Sequence, residues 1–146
     1  MENKQQAQQS AGATDTIRAT LPFVSGETQV QELSGDLVFD PADPYAVQLV
    51  FGHETGRDVT WSFARDLLAE GLYDPAGDGD VLVWPCLATT GAAVVVIELR
   101  SPHGMAMLQT SSKAVQRFVS EIFAAVPAGT ESSQIALDDL VTYLLA

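Results

Sequence analysis

The chain has one cysteine, Cys86, so no intrachain disulfide can form and the paired-thiol spacings of zinc and redox sites are absent. It is also short of cations. Seven basic residues stand against nineteen acidic ones, a net charge of −12 that repels phosphate backbones and anionic headgroups. The seven, Lys4, Arg18, Arg57, Arg65, Arg100, Lys113 and Arg117, are spread along the chain without a polybasic cluster. The longest plain apolar run, Ala92 to Ile97, falls far short of the roughly 20 residues that span a bilayer. The opening stretch, rich in Gln and Ser, has no apolar core of the secretory kind, so a cytoplasmic protein without direct membrane insertion is expected.

Catalytic patterns are equally scarce. No G-x-S-x-G, GxxxxGK[ST] or G-x-G-x-x-G occurs, which leaves serine hydrolysis and phosphate cradling without support. The only histidines, His53 and His103, each adjoin glycine in expected turns and have no placed partner. Cys86 follows Trp84 and Pro85 at a strand end and reads as a small core residue. Asp74, Asp78 and Asp80 miss the ligand alternation of a calcium loop, and Pro85 stands where its closing glutamate belongs. The residues thus suggest no enzyme, metal site or cofactor.

What is present suits a globular body. The 146 residues, 47% apolar and 18% charged, match one domain of ordinary size. Residues 1–13 carry no apolar periodicity and read as a flexible N-terminal tail, leaving 14–146 as the folded unit. Ile17, Ala19, Leu21 and Phe23 alternate as in a half-buried strand over Thr16 to Val24, and Gly26 marks a turn. Further strands are predicted over Leu33 to Phe39, Tyr45 to Phe51 and through Val59, Trp61 and Phe63, with DPADP at 40–44 as a break. ARDLLAEGL, from Ala64 to Leu72, reads as a short helix ended by Gly71.

A second run follows, with strands over Val81 to Trp84, Ala92 to Leu99 and Met105 to Gln109, broken by Pro85 and SPHG. Val115, Phe118, Val119, Ile122, Phe123 and Val126 recur every three or four residues, predicting an amphipathic helix over Ser112 to Val126, stopped by Pro127. Leu137, Leu140, Val141, Leu144 and Leu145 predict a last helix, with Asp138 and Asp139 near its positive end. The expected class is α+β: two antiparallel strand runs, each followed by a helix, with helices packed on sheets.

Trp61 and Phe63 share a strand face and are expected to be buried together. With Trp84 and the arginines they could instead line a single-strand nucleic-acid groove, a reading the negative charge opposes. Arg65 and Asp66 open the short helix, where the acid suits the dipole and the arginine can pair with a neighbouring carboxylate, or the charged pair can belong to a partner surface.

DPYAVQLVF (43–51), VTWSFARDLLAEGL (59–72) and GDGDVLVWP (77–85) together resemble the diagnostic core of the SsgA-like proteins of sporulating actinomycetes, and SPHG (101–104), AAVPAGTE (124–131) and the acidic start of the last helix extend the likeness. The motif positions are Asp43, Pro44, Tyr45, Trp61, Phe63, Arg65, Asp66, Gly71, Gly79, Asp80, Trp84 and Pro85, read as structural marks rather than a binding site. Leu82, the longer Gln-rich start and the Gly52 to Arg57 turn depart from the pattern. The resemblance implies a whirly-like fold assembled as a trimer, no enzymatic activity, and a regulator of sporulation-specific cell division that recruits FtsZ at the septum with a membrane-associated partner. Its alternative within the family is the positioning of cell-wall synthases or autolytic enzymes during spore maturation.

Overall fold

Among the described residues, alternating apolar positions and turn-forming breaks give seven strands and three helices. The computed structural model describes residues 15–26, 30–52 and 56–145. The strands are β1 (Ile17–Ser25), β2 (Gln31–Phe39), β3 (Ala46–Phe51), β4 (Val59–Ala64), β5 (Val81–Leu87), β6 (Ala93–Ser101) and β7 (Gly104–Ser111). The helices are α1 (Arg65–Gly71) after β4, α2 (Ser112–Ala125) after β7, and α3 (Glu131–Leu145). The tail expected over 1–13 and the turn histidine His53 lie outside the described residues.

The two strand runs form one sheet rather than two, a seven-stranded antiparallel sheet of order β4-β3-β2-β1-β7-β6-β5. They meet where β1 pairs with β7, Val24 opposite Gln109 and Ser25 opposite Leu108, and Thr110 Oγ1 donates to the Pro22 carbonyl at 2.8 Å across the same seam. The expected α+β class with helices packed on sheet is therefore present.

One face of this sheet carries the core. Ala19, Leu37, Leu49 and Trp61 lie opposite one another across four strands, and Val83, Ile97 and Leu108 continue the face across the other three. Val115, Phe118 and Ile122 of α2 are buried in the same cluster, as the spacing predicts. Ser111 caps α2, its Oγ accepting from the Ala114 N–H at 3.2 Å. In β2, Gly35 leaves room for the edge-to-face pair of Phe23 and Phe51, whose ring centres are 5.3 Å apart; a Cβ there would lie 2.4 Å from the Phe51 ring.

Two local expectations are corrected. Pro85 does not end its strand, because β5 continues to Leu87 along the edge of the sheet. Val83 exchanges both backbone hydrogen bonds with Ala76 on the outward side, so the backbone of Pro85, two residues on, also faces outward, where a missing N–H breaks no ladder. The last helix starts at Glu131, which places Asp138 and Asp139 about two turns inside it. Glu131 is the acid in its first turn.

Candidate interaction surface

Among the described residues no group of histidine, cysteine, aspartate or glutamate side chains is arranged to hold a metal ion. His103 is exposed in the β6–β7 turn, its backbone N–H bonded to Ser101 Oγ, and Cys86, expected in the core, is instead exposed near the end of the edge strand β5. The features that need a chemical account are a buried arginine between the helices and an uncharged groove on the sheet face opposite the core.

Arg65 is 1% exposed. Its Nη1 donates to the Val126 carbonyl at 2.8 Å and more distantly to that of Ile122 at 3.5 Å, and its Nη2 pairs with Glu131 Oε2 at 2.8 Å. The guanidinium lies 3.9 Å from the ring centre of Phe123 and 5.7 Å from that of Phe39. It thereby neutralises the negative end of α2 and fixes the root of α3. The arginine's hydrogen bond holds the Glu131 carboxyl below the usual carboxylate range; its own N–H and that of Gly129 act in the same direction, while burial opposes them. Of the two readings of Arg65, the structure gives a buried structural pair, with a carboxylate 66 residues away rather than a neighbour. Asp66 is exposed in the first turn of α1.

The other motif residues are brought around this frame. Asp43, exposed, and Pro44, buried, form the β2–β3 turn, and the Tyr45 carbonyl accepts from the Arg65 backbone N–H at 2.8 Å while the Tyr45 side chain stays exposed. Phe63 is buried and Trp61 packs partly buried against the core. Gly71 is needed for closeness, without the left-handed backbone of a helix cap: a Cβ there would lie 2.2 Å from Val83 Cγ1, where α1 meets β5. Gly79 stands in open space, and the structure gives no reason for glycine there. Asp80, exposed, offers its carbonyl to the Arg100 N–H at 2.8 Å.

Trp84 lies on the opposite face of the sheet from Trp61. Trp61 sits in the row with Leu49 and Leu37, whereas Trp84 is opposite Val96, itself opposite Gln109 on the outer face. The groove anticipated from both tryptophans together is therefore not formed. On the outer face, Val24, Trp84, Val96, Met105, Met107 and Gln109 line a groove of about 840 Å³, and none of the fifteen residues that line it is charged. Two acids of the same face are paired with arginines, Asp36 with Arg18 and Glu98 with Arg100.

The groove itself was missed in the sequence, although a signal for it exists. Val94 to Ile97 are four successive apolar residues in an antiparallel strand, all buried. Such a run marks a strand covered on both faces, and α2 covers only the one that faces the core. The Arg65–Glu131 partnership had no signal, since nothing local relates the two positions.

Comparison with known proteins agrees with this architecture. The family described as "Streptomyces sporulation and cell division protein, SsgA" matches residues 33–131. The chain is 46% identical over 123 residues to the sporulation-specific cell division protein SsgB of Streptomyces coelicolor, covering 84% of this chain and 88% of that protein. It is 38% identical to SsgB of Salinispora tropica, covering 91% and 94%. A solved structure described as "Mutations in SsgB correlate to longitudinal cell division during sporulation of Streptomyces coelicolor" superposes with a TM-score of 0.78 at 39% identity, covering 86% of this chain and 99% of that one. The SsgA-like sporulation-specific cell division protein of Thermobifida fusca superposes with a TM-score of 0.81 at 28% identity, covering 92% and 98%. With the family match over most of the sheet and close relatives spanning nearly their whole length, the chain belongs to the SsgA family of sporulation and cell division proteins.

Proposed function

We propose that this chain is a non-enzymatic adaptor of sporulation-specific cell division that helps to place the septum by recruiting FtsZ polymers from the cytoplasm. The observation that carries the reading is its 46% identity, over most of both chains, to a sporulation-specific cell division protein. The physical character of the molecule supports it: a rigid sheet with an uncharged groove and a paired, structural arginine offers surface rather than catalytic groups. No helix among the described residues is long and apolar enough to cross a membrane; in this reading the adaptor acts with a membrane-associated partner. As a homo-oligomer, with a trimer as the expected form, it presents several copies of one weak site to a polymer, and later contacts form at high effective concentration.

Co-sedimentation with GTP-assembled FtsZ from the same organism tests this. Saturable pelleting with polymer supports recruitment; its absence at concentrations where the chain is oligomeric overturns direct recruitment and favours the positioning of wall enzymes.

A further inference from the structure

The two edges of the antiparallel sheet are unlike. On β5 the outward backbone of Val83 is taken by Ala76, and Pro85 withholds the next outward N–H. Neither device stands on β4. The Arg65 N–H donates to the Tyr45 carbonyl, so Phe63, Trp61 and Val59, in step with it, bond towards β3. The alternate residues Thr60 and Ser62 therefore turn their backbone N–H and carbonyl groups outward, and both residues are exposed. Among the described residues no hydrogen bond reaches those groups. A strand edge of this kind is a template for one more strand.

The sheet also curls, which brings its far end round to this edge. Trp61, on the core face of β4, shares an open pocket of about 290 Å³ with Leu99, His103 and Ala106 of the β6–β7 hairpin. An extended chain laid along β4 places the side chain opposite Trp61 on the same face, over this pocket. Backbone bonds for affinity, with a pocket for alternate side chains, are the means by which a sheet edge recognises a peptide. Charge then selects the peptide. Exposed Asp58 and Asp66 stand at the two ends of β4 against one exposed cation, Arg57, in a molecule of net charge −12. An anionic segment is repelled and a basic one attracted.

We infer that β4 binds an extended, basic segment of a partner protein by strand addition, the segment pairing with Thr60 and Ser62 and seating one apolar side chain beside Trp61. This goes beyond the recruitment reading and stands whether or not FtsZ is the partner.

Random short peptides displayed on phage and selected on the purified full chain supply the probe. The enriched peptides are expected to carry lysine or arginine around an apolar centre, and their affinity should fall as salt rises. Ser62→Pro removes one outward N–H at an edge position that tolerates proline; with its fold checked by circular dichroism, it should weaken binding by about tenfold or more. Ala106→Phe fills the pocket from an exposed position and should weaken peptides with a large apolar centre more than those with alanine there. In hydrogen exchange followed by NMR, bound peptide should slow the amides of Thr60 and Ser62 and leave those of Trp61 and Phe63 unchanged. The absence of any enriched peptide, enrichment of acidic ones, binding unchanged in either folded variant, or Thr60 and Ser62 amides already protected in the free chain would each overturn the site. Protection that grows with protein concentration without peptide would assign the edge to a second copy and overturn the partner segment as its occupant. FtsZ co-sedimentation enters none of these readouts, so the recruitment reading can fail while this one holds, and the reverse.

Discussion

Arg65 is the largest side chain among the fully buried ones described, and a charge so placed survives only when its hydrogen bonds are replaced. The carbonyl of Val126 and the carboxylate of Glu131 do this for the two terminal nitrogens and the face of Phe123 covers the guanidinium, while the buried Nε has no hydrogen-bond partner. Arg65→Ala is expected to cost about 3–5 kcal/mol, seen as a lower urea midpoint. Arg65→Lys should not restore it, because one ammonium cannot reproduce the planar fork that spans a carbonyl and a carboxylate. Glu131 gives the pH dependence. Its carboxyl is held below the ordinary value by Arg65, so the stabilisation is complete above that ordinary value and is lost as pH falls through the lowered one. Unfolding midpoints measured across the acid range should fall more gently for Glu131→Gln than for the wild type.

At the scale of elements, two contacts explain residues that look misplaced. Helix α1 approaches β5 so closely that Gly71 has no room for a methyl group beside Val83. Gly71→Ala should therefore destabilise by about 1–3 kcal/mol through overpacking. Adding Val83→Ala should recover part of that loss in a double-mutant cycle, which an intrinsic helix preference would not do. Strand β5 is a sheet edge, and Pro85 withholds an N–H from its outward side. Pro85→Thr is expected to leave the fold intact by circular dichroism and to raise concentration-dependent aggregation, measured by light scattering on heating. Helix α3 is held at Glu131, and its described side chains beyond Ile135 are exposed.

For the whole molecule, the dominant quantity is the net charge of −12. A labelled single-stranded oligonucleotide is expected to show no binding by fluorescence anisotropy at low salt, where a phosphate-dependent contact would be strongest. The sequence alone determined much: the strands and the two longer helices follow from periods of two and of three to four residues, because burial of one face is a local pattern. It also carried the family likeness in the segments 43–51, 59–72 and 77–85, and it opposed phosphate ligands through composition. Only the tertiary structure joined the two strand runs into one sheet, sent Trp61 and Trp84 to opposite faces, and paired Arg65 with Glu131. It alone revealed that Gly71 serves a helix–strand contact and that an uncharged groove lies behind the core. These depend on which distant segments meet, and no local period or spacing encodes a contact between residues 66 positions apart.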